Sequence, residues 1–326
     1  MSATTEVSSN LNLTTASNLK HRSLWDDGVR RFGHNKLAVA GLIVVVIFFL
    51  TAIFGPYFAP YDFRAQDMDN QFQPPSPDHW MGTDALGRDI FSRLIYGART
   101  AALVAVISTS ISLLLGVGVG AMAGYMRGKS DEFLMWVTDV TMAVPGLLLA
   151  MLINAALKRP VMGWFEQTYE RTRNPLFLNT LWLDFVLLFG ILALISWPGL
   201  ARLIRGQVLT IGNTTYVESA HAVGSPTSRI LSRHVVPNAM GPLIVAVTAA
   251  MGGVIVLESA LSWLGIGVPP PNASWGIMLK DSQQMWRTYP HLLVAPAVTI
   301  GIISVAFTFL GDGLNDALNP RLTKKG

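Results

Sequence analysis

The chain has 326 residues, 51% of them hydrophobic and 13% charged, whereas an ordinary soluble domain carries roughly 25% charged residues. Such a deficit excludes a water-facing surface over most of the molecule and places the chain in a lipid bilayer. Cysteine is absent, which removes disulfides, thiolate metal sites and thiol catalysis. The net charge of +4 is spread along the chain and forms no nucleic-acid footprint.

Residues 1–18 are polar and rich in Ser, Thr and Asn. They lack the apolar core and cleavage site of a signal peptide and read as a disordered tail. From Ser23 onward Leu24, Trp25, Val29 and Phe32 fall near helical spacing, opposite Asp26, Asp27, Arg30 and Arg31. That pattern predicts a short helix in the membrane interface, so 1–36 form a tail plus an interfacial helix.

Six apolar stretches follow, each of the length that crosses about 30 Å of hydrocarbon: 37–54, 101–125, 133–157, 183–204, 239–266 and 292–311. The chain therefore divides into a first transmembrane helix (37–58), an outer loop (59–100), a transmembrane core (101–315) and a short tail (316–326). An even number of spans puts both termini on one side. Of the 24 Lys and Arg, 14 fall on the side of the termini and 10 opposite, and the richer side is expected to be cytoplasmic. The outer connections hold Trp80, Trp164, Trp182, Trp275 and Trp286, as an interfacial aromatic belt would.

Two acids, Asp139 and Glu258, stand inside spans, where an isolated charge is costly and faces a wet passage or a polar partner. Each is a candidate for the translocation path. Each is equally explained by Ser, Thr or backbone groups of a neighbouring helix. The run GVGVGAMAG, residues 116–124, is most simply a close helix contact of the small-xxx-small kind.

The connection from span four to span five, residues 206–238, is too long for a plain link and carries the punctuation of two short helices. Thr215 and Glu218 suit a capping box at the first start, and Gly224 a left-handed terminator. Ser225 suits the cap of a second helix with Pro226 at its first position, and Pro237 stops it. A capped pair of helices held outside the bilayer is suited to touching another protein. Glu218 alone needs no more than its capping role, and Arg229 and Arg233 alone no more than a solvated face.

In that loop ESAHAVG followed by HVVP resembles the cytoplasmic EAA signature of ABC importer permeases, with Glu218, Ala220, Gly224 and Pro237 at the family positions. Ser219 replaces a consensus Ala and Val236 a consensus Leu. The segments HWMGTDALGRDIFSRLIYGAR, DVTMAVPGLLLA, SWPGLARLIRGQVL, LSWLGIGVPPPNASWG and LGDGLNDALNPR are similar to the second permease subunit of di/oligopeptide importers. The resemblance implies an all-α integral membrane protein of six transmembrane helices, with the type I importer permease fold and cytoplasmic coupling helices. It also implies transport coupled to ATP through Glu218, Ala220, Gly224, Arg229, Arg233 and Pro237.

The partners it implies are a second homologous permease, two ATPase subunits and an extracytoplasmic substrate-binding protein, around a chain with no cofactor or metal of its own. Relatives of this kind carry peptides, nickel or oligosaccharides. The stretch 158–182 departs from the family pattern by its length. Enzyme readings fail on motifs: H-E-x-x-H and G-x-S-x-G are absent, and GYMRGKS is one residue short of a phosphate loop. A self-contained secondary transporter working through Asp139 or Glu258 would show matched broken helices in two halves, and the sequence has none.

Overall fold

The computed structural model describes residues 24–177, 181–230, 233 and 235–318; the tail expected over 1–18 lies outside them. The described residues form eleven α-helices: α1 (Leu24–His34), α2 (Lys36–Phe58), α3 (Ile90–Met126), α4 (Gly128–Ala143), α5 (Gly146–Thr172), α6 (Leu181–Gly212), α7 (Thr215–Ala222), α8 (Thr227–Ile230), α9 (Val236–Trp263), α10 (Trp275–Ser282) and α11 (His291–Leu318). Six helices are long and apolar enough to cross a bilayer, in α2, α3, α5, α6, α9 and α11. With these spans the all-α, multi-pass membrane architecture read from the sequence holds.

The centre of the molecule is the seam between α3 and α6, which run parallel. The glycine stripe makes it: a methyl group on Gly116 would lie 2.6 Å from Leu200 Cβ, one on Gly120 2.4 Å from the Ala201 carbonyl oxygen, and one on Gly124 2.9 Å from Val208 Cβ. Four residues earlier the Ser112 hydroxyl donates to the Ala193 carbonyl oxygen, 3.2 Å away. The two helices thus keep one register over three turns, and only absent side chains let the backbones approach so closely.

On one flank α9 and α11 pack antiparallel, with Gly252 against Ser304 and Phe307. Then α2 closes on α11 and α3, its Phe48 meeting Phe307 edge-on at 6.1 Å. The short α10 re-enters at the opposite end from the α6–α9 connection and seats Trp275 on Gly97, where the indole N–H donates to the Leu94 carbonyl oxygen at 3.0 Å. Helix α1 lies against the end of α11, with Gly28 beside Ala317, so the two described ends of the chain meet on one side. In α1 Phe32 packs inward while Val29 is exposed. The inward stripe therefore differs from the one the spacing suggested.

Several boundaries depart from the sequence reading. The outer loop expected over 59–100 ends at Asp89, whose carboxylate accepts from the Ser92 amide at 2.7 Å and caps α3 at Ile90. The third crossing, expected as one helix over 133–157, is broken at Val144 and Pro145 into α4 and α5, because proline removes an amide and clashes with the preceding turn. Ion pairs between Asp131 and Arg205 and between Lys158 and Asp184 clamp it antiparallel to α6 at both ends. The connection expected over 158–182 is largely helical, since α5 runs on to Thr172. There Phe165 is buried among Trp164, Phe177 and Trp182 at ring distances of 5.2, 5.3 and 5.1 Å. That cluster supplies the apolar contact a helix needs once it leaves lipid.

Candidate coupling surface and the families it matches

The α6–α9 connection is a helix pair, as its turn residues indicated. Helix α7 ends in a glycine-terminated motif: the Ser225 amide donates to the Ala220 carbonyl oxygen at 3.1 Å, and Gly224 sits at φ +80°, where a side chain is strained. The capping box does not form at Thr215. That residue is already helical, and the Glu218 amide donates to the Thr214 carbonyl oxygen at 3.1 Å. The Thr214 hydroxyl turns back to the Ile211 carbonyl oxygen, 2.6 Å away. Glu218 is thereby left without a capping task.

The first start is thus one residue earlier, and the second one residue later, than the spacing implied. Pro226 is the cap, its carbonyl oxygen accepting from the amides of Arg229 and Ile230 at 3.0 and 3.2 Å, and α8 begins at Thr227. Pro237 does not stop α8 but opens α9 in its first turn, where a missing N–H costs no hydrogen bond.

Each short helix drives one apolar side chain inward. Val217 from α7 and Ile230 from α8 are fully buried against Ile204, Val208, Ile211 and Ala239 of α6 and α9. Ala220 packs half-buried on the same cluster. Around it polar bonds brace the loop: Asn238 donates to the Tyr216 hydroxyl at 3.2 Å, and Arg127 donates to Asn213 at 2.9 Å. Beneath α7 lies a cavity of about 330 Å³ lined by Gly124, Val208, Val217 and Val235.

Facing outward are Glu218, Ser219, Ala222, Gly224, Arg229, Arg233 and Pro237, all exposed. Val223 is 86% exposed at the tip. The surface combines one acid, two bases and an apolar point on a scaffold pinned to the ends of α6 and α9. Sequence reasoning gathered these residues as one group; the structure sorts them, with Ala220 turned to the scaffold and the others outward.

The two acids within spans part company. Asp139 is 60% exposed on α4 and pairs with Arg202 of α6, one turn from the bidentate contact of Asp131 with Arg205 at 2.6 Å. The Arg205 hydrogen bonds hold the Asp131 carboxyl below the usual carboxylate range. Glu258 is 1% exposed and accepts hydroxyl bonds from Ser262, Ser274 and Ser259 at 2.7, 2.8 and 3.4 Å. It knots α9 to the segment before α10, the partnered state that a buried carboxyl requires.

The sequence reading passed over a network at the other end of the molecule. Asp84 takes contacts from Arg88 at 2.7 Å and from buried Arg93, and both arginines reach Asp281 of α10. Asp84 and Arg88 lie in a loop, where a four-residue spacing does not bring side chains together as it does on a helix, so the local sequence carried no signal for the network.

Comparison with known proteins assigns this architecture. Residues 116–324 match the binding-protein-dependent transport system inner membrane component family, and residues 23–75 match the N-terminal TM domain of oligopeptide transport permease C. The chain is 41% identical to the oligopeptide transport system permease protein OppC of Bacillus subtilis, over 94% of this chain and 92% of that protein. It is 38% identical to the dipeptide transport system permease protein DppC of the same organism, over 95% and 90%. With the glutathione transport system permease protein GsiD of Pectobacterium atrosepticum identity is 34%, over 92% of each chain. In such a system the permease is the transport subunit, working with ATPase and binding-protein components that carry out hydrolysis and delivery. This chain belongs to the family of binding-protein-dependent transport system inner membrane components.

Proposed function

We propose that this permease imports peptides delivered by an extracytoplasmic binding protein, paired with a second homologous permease and driven by two ATPase subunits docked on the α7–α8 surface. The single observation that carries the coupling role is the helix pair itself. Its apolar side chains are spent on anchoring to α6 and α9, while a charged, exposed face with Val223 at its tip is left for a partner. A rigid element fixed to two crossings transmits force from a docked protein to those crossings. The relatives that carry oligopeptides, dipeptides and glutathione support peptides as the cargo.

In this reading both termini and the α7–α8 pair are cytoplasmic, in keeping with the Lys/Arg bias, and Glu218, Arg229 and Arg233 contact the ATPase. Asp139 with Arg202 is the better candidate for the translocation path, being an open pair, whereas the Glu258 knot supports a structural role for that acid. The test is uptake into vesicles holding the full complex and its binding protein, with labelled di- and oligopeptides set against nickel and oligosaccharides. Peptide uptake that requires ATP inside the cytoplasmic compartment is expected. ATP-driven uptake of nickel or oligosaccharide with no peptide uptake would overturn the cargo, and uptake without ATP the coupling.

A further inference from the structure

Between α2 and α3, at the end away from the α7–α8 pair, runs an open groove of about 700 Å³, within the roughly 300–1,000 Å³ of small-molecule sites. The helices are antiparallel there, and a methyl on Gly55 would meet Ile95. The groove thus has a defined polarity. Tyr57, Tyr96 and Arg99 stand at its mouth, and Ile53, Leu103 and Val106 line it on the way down to Phe49 and Ile107. Arg99 to Ile107 is eight residues, about 12 Å along a helix.

Arg99 is exposed and has no carboxylate or hydrogen-bond partner among the described residues. Arg99 is the one charged residue among the described residues that line the groove. Arg99 also lies at the edge of the apolar run that begins at Ala101, the depth of lipid headgroups. A guanidinium takes a phosphate by paired hydrogen bonds, and two tyrosines beside it suit the interfacial layer.

We infer that the α2–α3 groove is a binding site for one anionic phospholipid of the leaflet opposite the α7–α8 pair. Its phosphate sits on Arg99 and an acyl chain lies along Ile53, Leu103 and Val106. The lipid is favoured over a second polypeptide by the arrangement, a lone cation at headgroup depth over a slot that is apolar from there inward. It would fill the groove between α2 and α3 at this level, so the first crossing is held to the core partly through lipid.

The complete complex, purified and placed in nanodiscs of phosphatidylcholine with a minority of phosphatidylglycerol, provides the test. A phosphatidylglycerol analogue carrying a photoreactive acyl chain is expected to label the peptides containing Ile53, Leu103 and Val106. Unlabelled phosphatidylglycerol competes and inorganic phosphate does not. Arg99→Ala lowers labelling about tenfold, the scale of one lost charge-assisted contact, with the melting temperature of the complex unchanged because the side chain is exposed. Val106→Trp abolishes labelling by filling the groove with Arg99 intact. Equal labelling of wild type and Arg99→Ala, equal labelling by a phosphatidylcholine analogue, or cross-linking of Leu103→Cys to another subunit would each overturn the inference.

Discussion

Gly224 and Glu218 sit six residues apart and test different properties of the helix pair. At φ +80° a β-branched side chain is strained by about 1–2 kcal/mol, although nothing lies within 4 Å of the missing Cβ. Gly224→Val is therefore expected to distort the turn without a steric clash. Membrane levels should stay near normal while the ATPase subunits co-purify poorly. Wild-type recovery of the ATPase with full uptake would show the turn to be irrelevant to docking.

Glu218 closes no capping box and is exposed. Both Glu218→Gln and Glu218→Ala should therefore leave the thermal stability of the permease unchanged, within about 0.5 kcal/mol. If the carboxylate meets a cation on the ATPase, each variant loses a contact worth about 1.5–3 kcal/mol. Substrate-stimulated ATP hydrolysis in proteoliposomes falls in both. A destabilised Ala variant beside a normal Gln variant would restore the capping role.

At the scale of elements the α3–α6 seam decides stability. Any side chain at Gly120 drives into the Ala201 carbonyl, and overpacking of this kind costs about 1–3 kcal/mol. Gly120→Val is expected to lower the unfolding temperature of the detergent-solubilised protein, while Gly118→Val, which meets nothing within 4 Å, is tolerated. Equal melting of the two variants would refute the close packing.

These elements also show what a sequence reveals. Six apolar runs, the glycine stripe at a four-residue period and the G-S-P punctuation after α7 are local patterns, and each marks its element directly. The break at Pro145, the helical extension of α5 and the fate of Thr215 depend on competition between a local preference and what packs nearby. An apolar run without charge does not say whether a proline inside it bends or breaks the helix. Nor do residues 158–172 announce the aromatic cluster around Phe165 that keeps them helical. The same limit hid the partners of Glu258: Ser274 is 16 residues away in sequence and meets the acid only once α10 has folded back.

For the whole molecule the structure places the two described chain ends and the α7–α8 pair on one face, because α1 lies on the end of α11, and α11 ends beside the start of α9. The Asp84–Arg93 network and α10 occupy the other face. The central claim is that the first face is cytoplasmic and that its exposed tip passes ATPase motion into the crossings. Since the chain has no cysteine, Val223→Cys places a single thiol at a point of the pair that is 86% exposed. A bulky membrane-impermeant maleimide is then applied to right-side-out and inside-out vesicles containing the permease pair without its ATPase subunits, and substrate-stimulated ATP hydrolysis is measured against the extent of labelling once the ATPase subunits and binding protein are supplied. Labelling confined to inside-out vesicles, with hydrolysis lost in proportion to it, is the expected result. Labelling from the right-side-out face, or full hydrolysis from completely labelled complex, would contradict it.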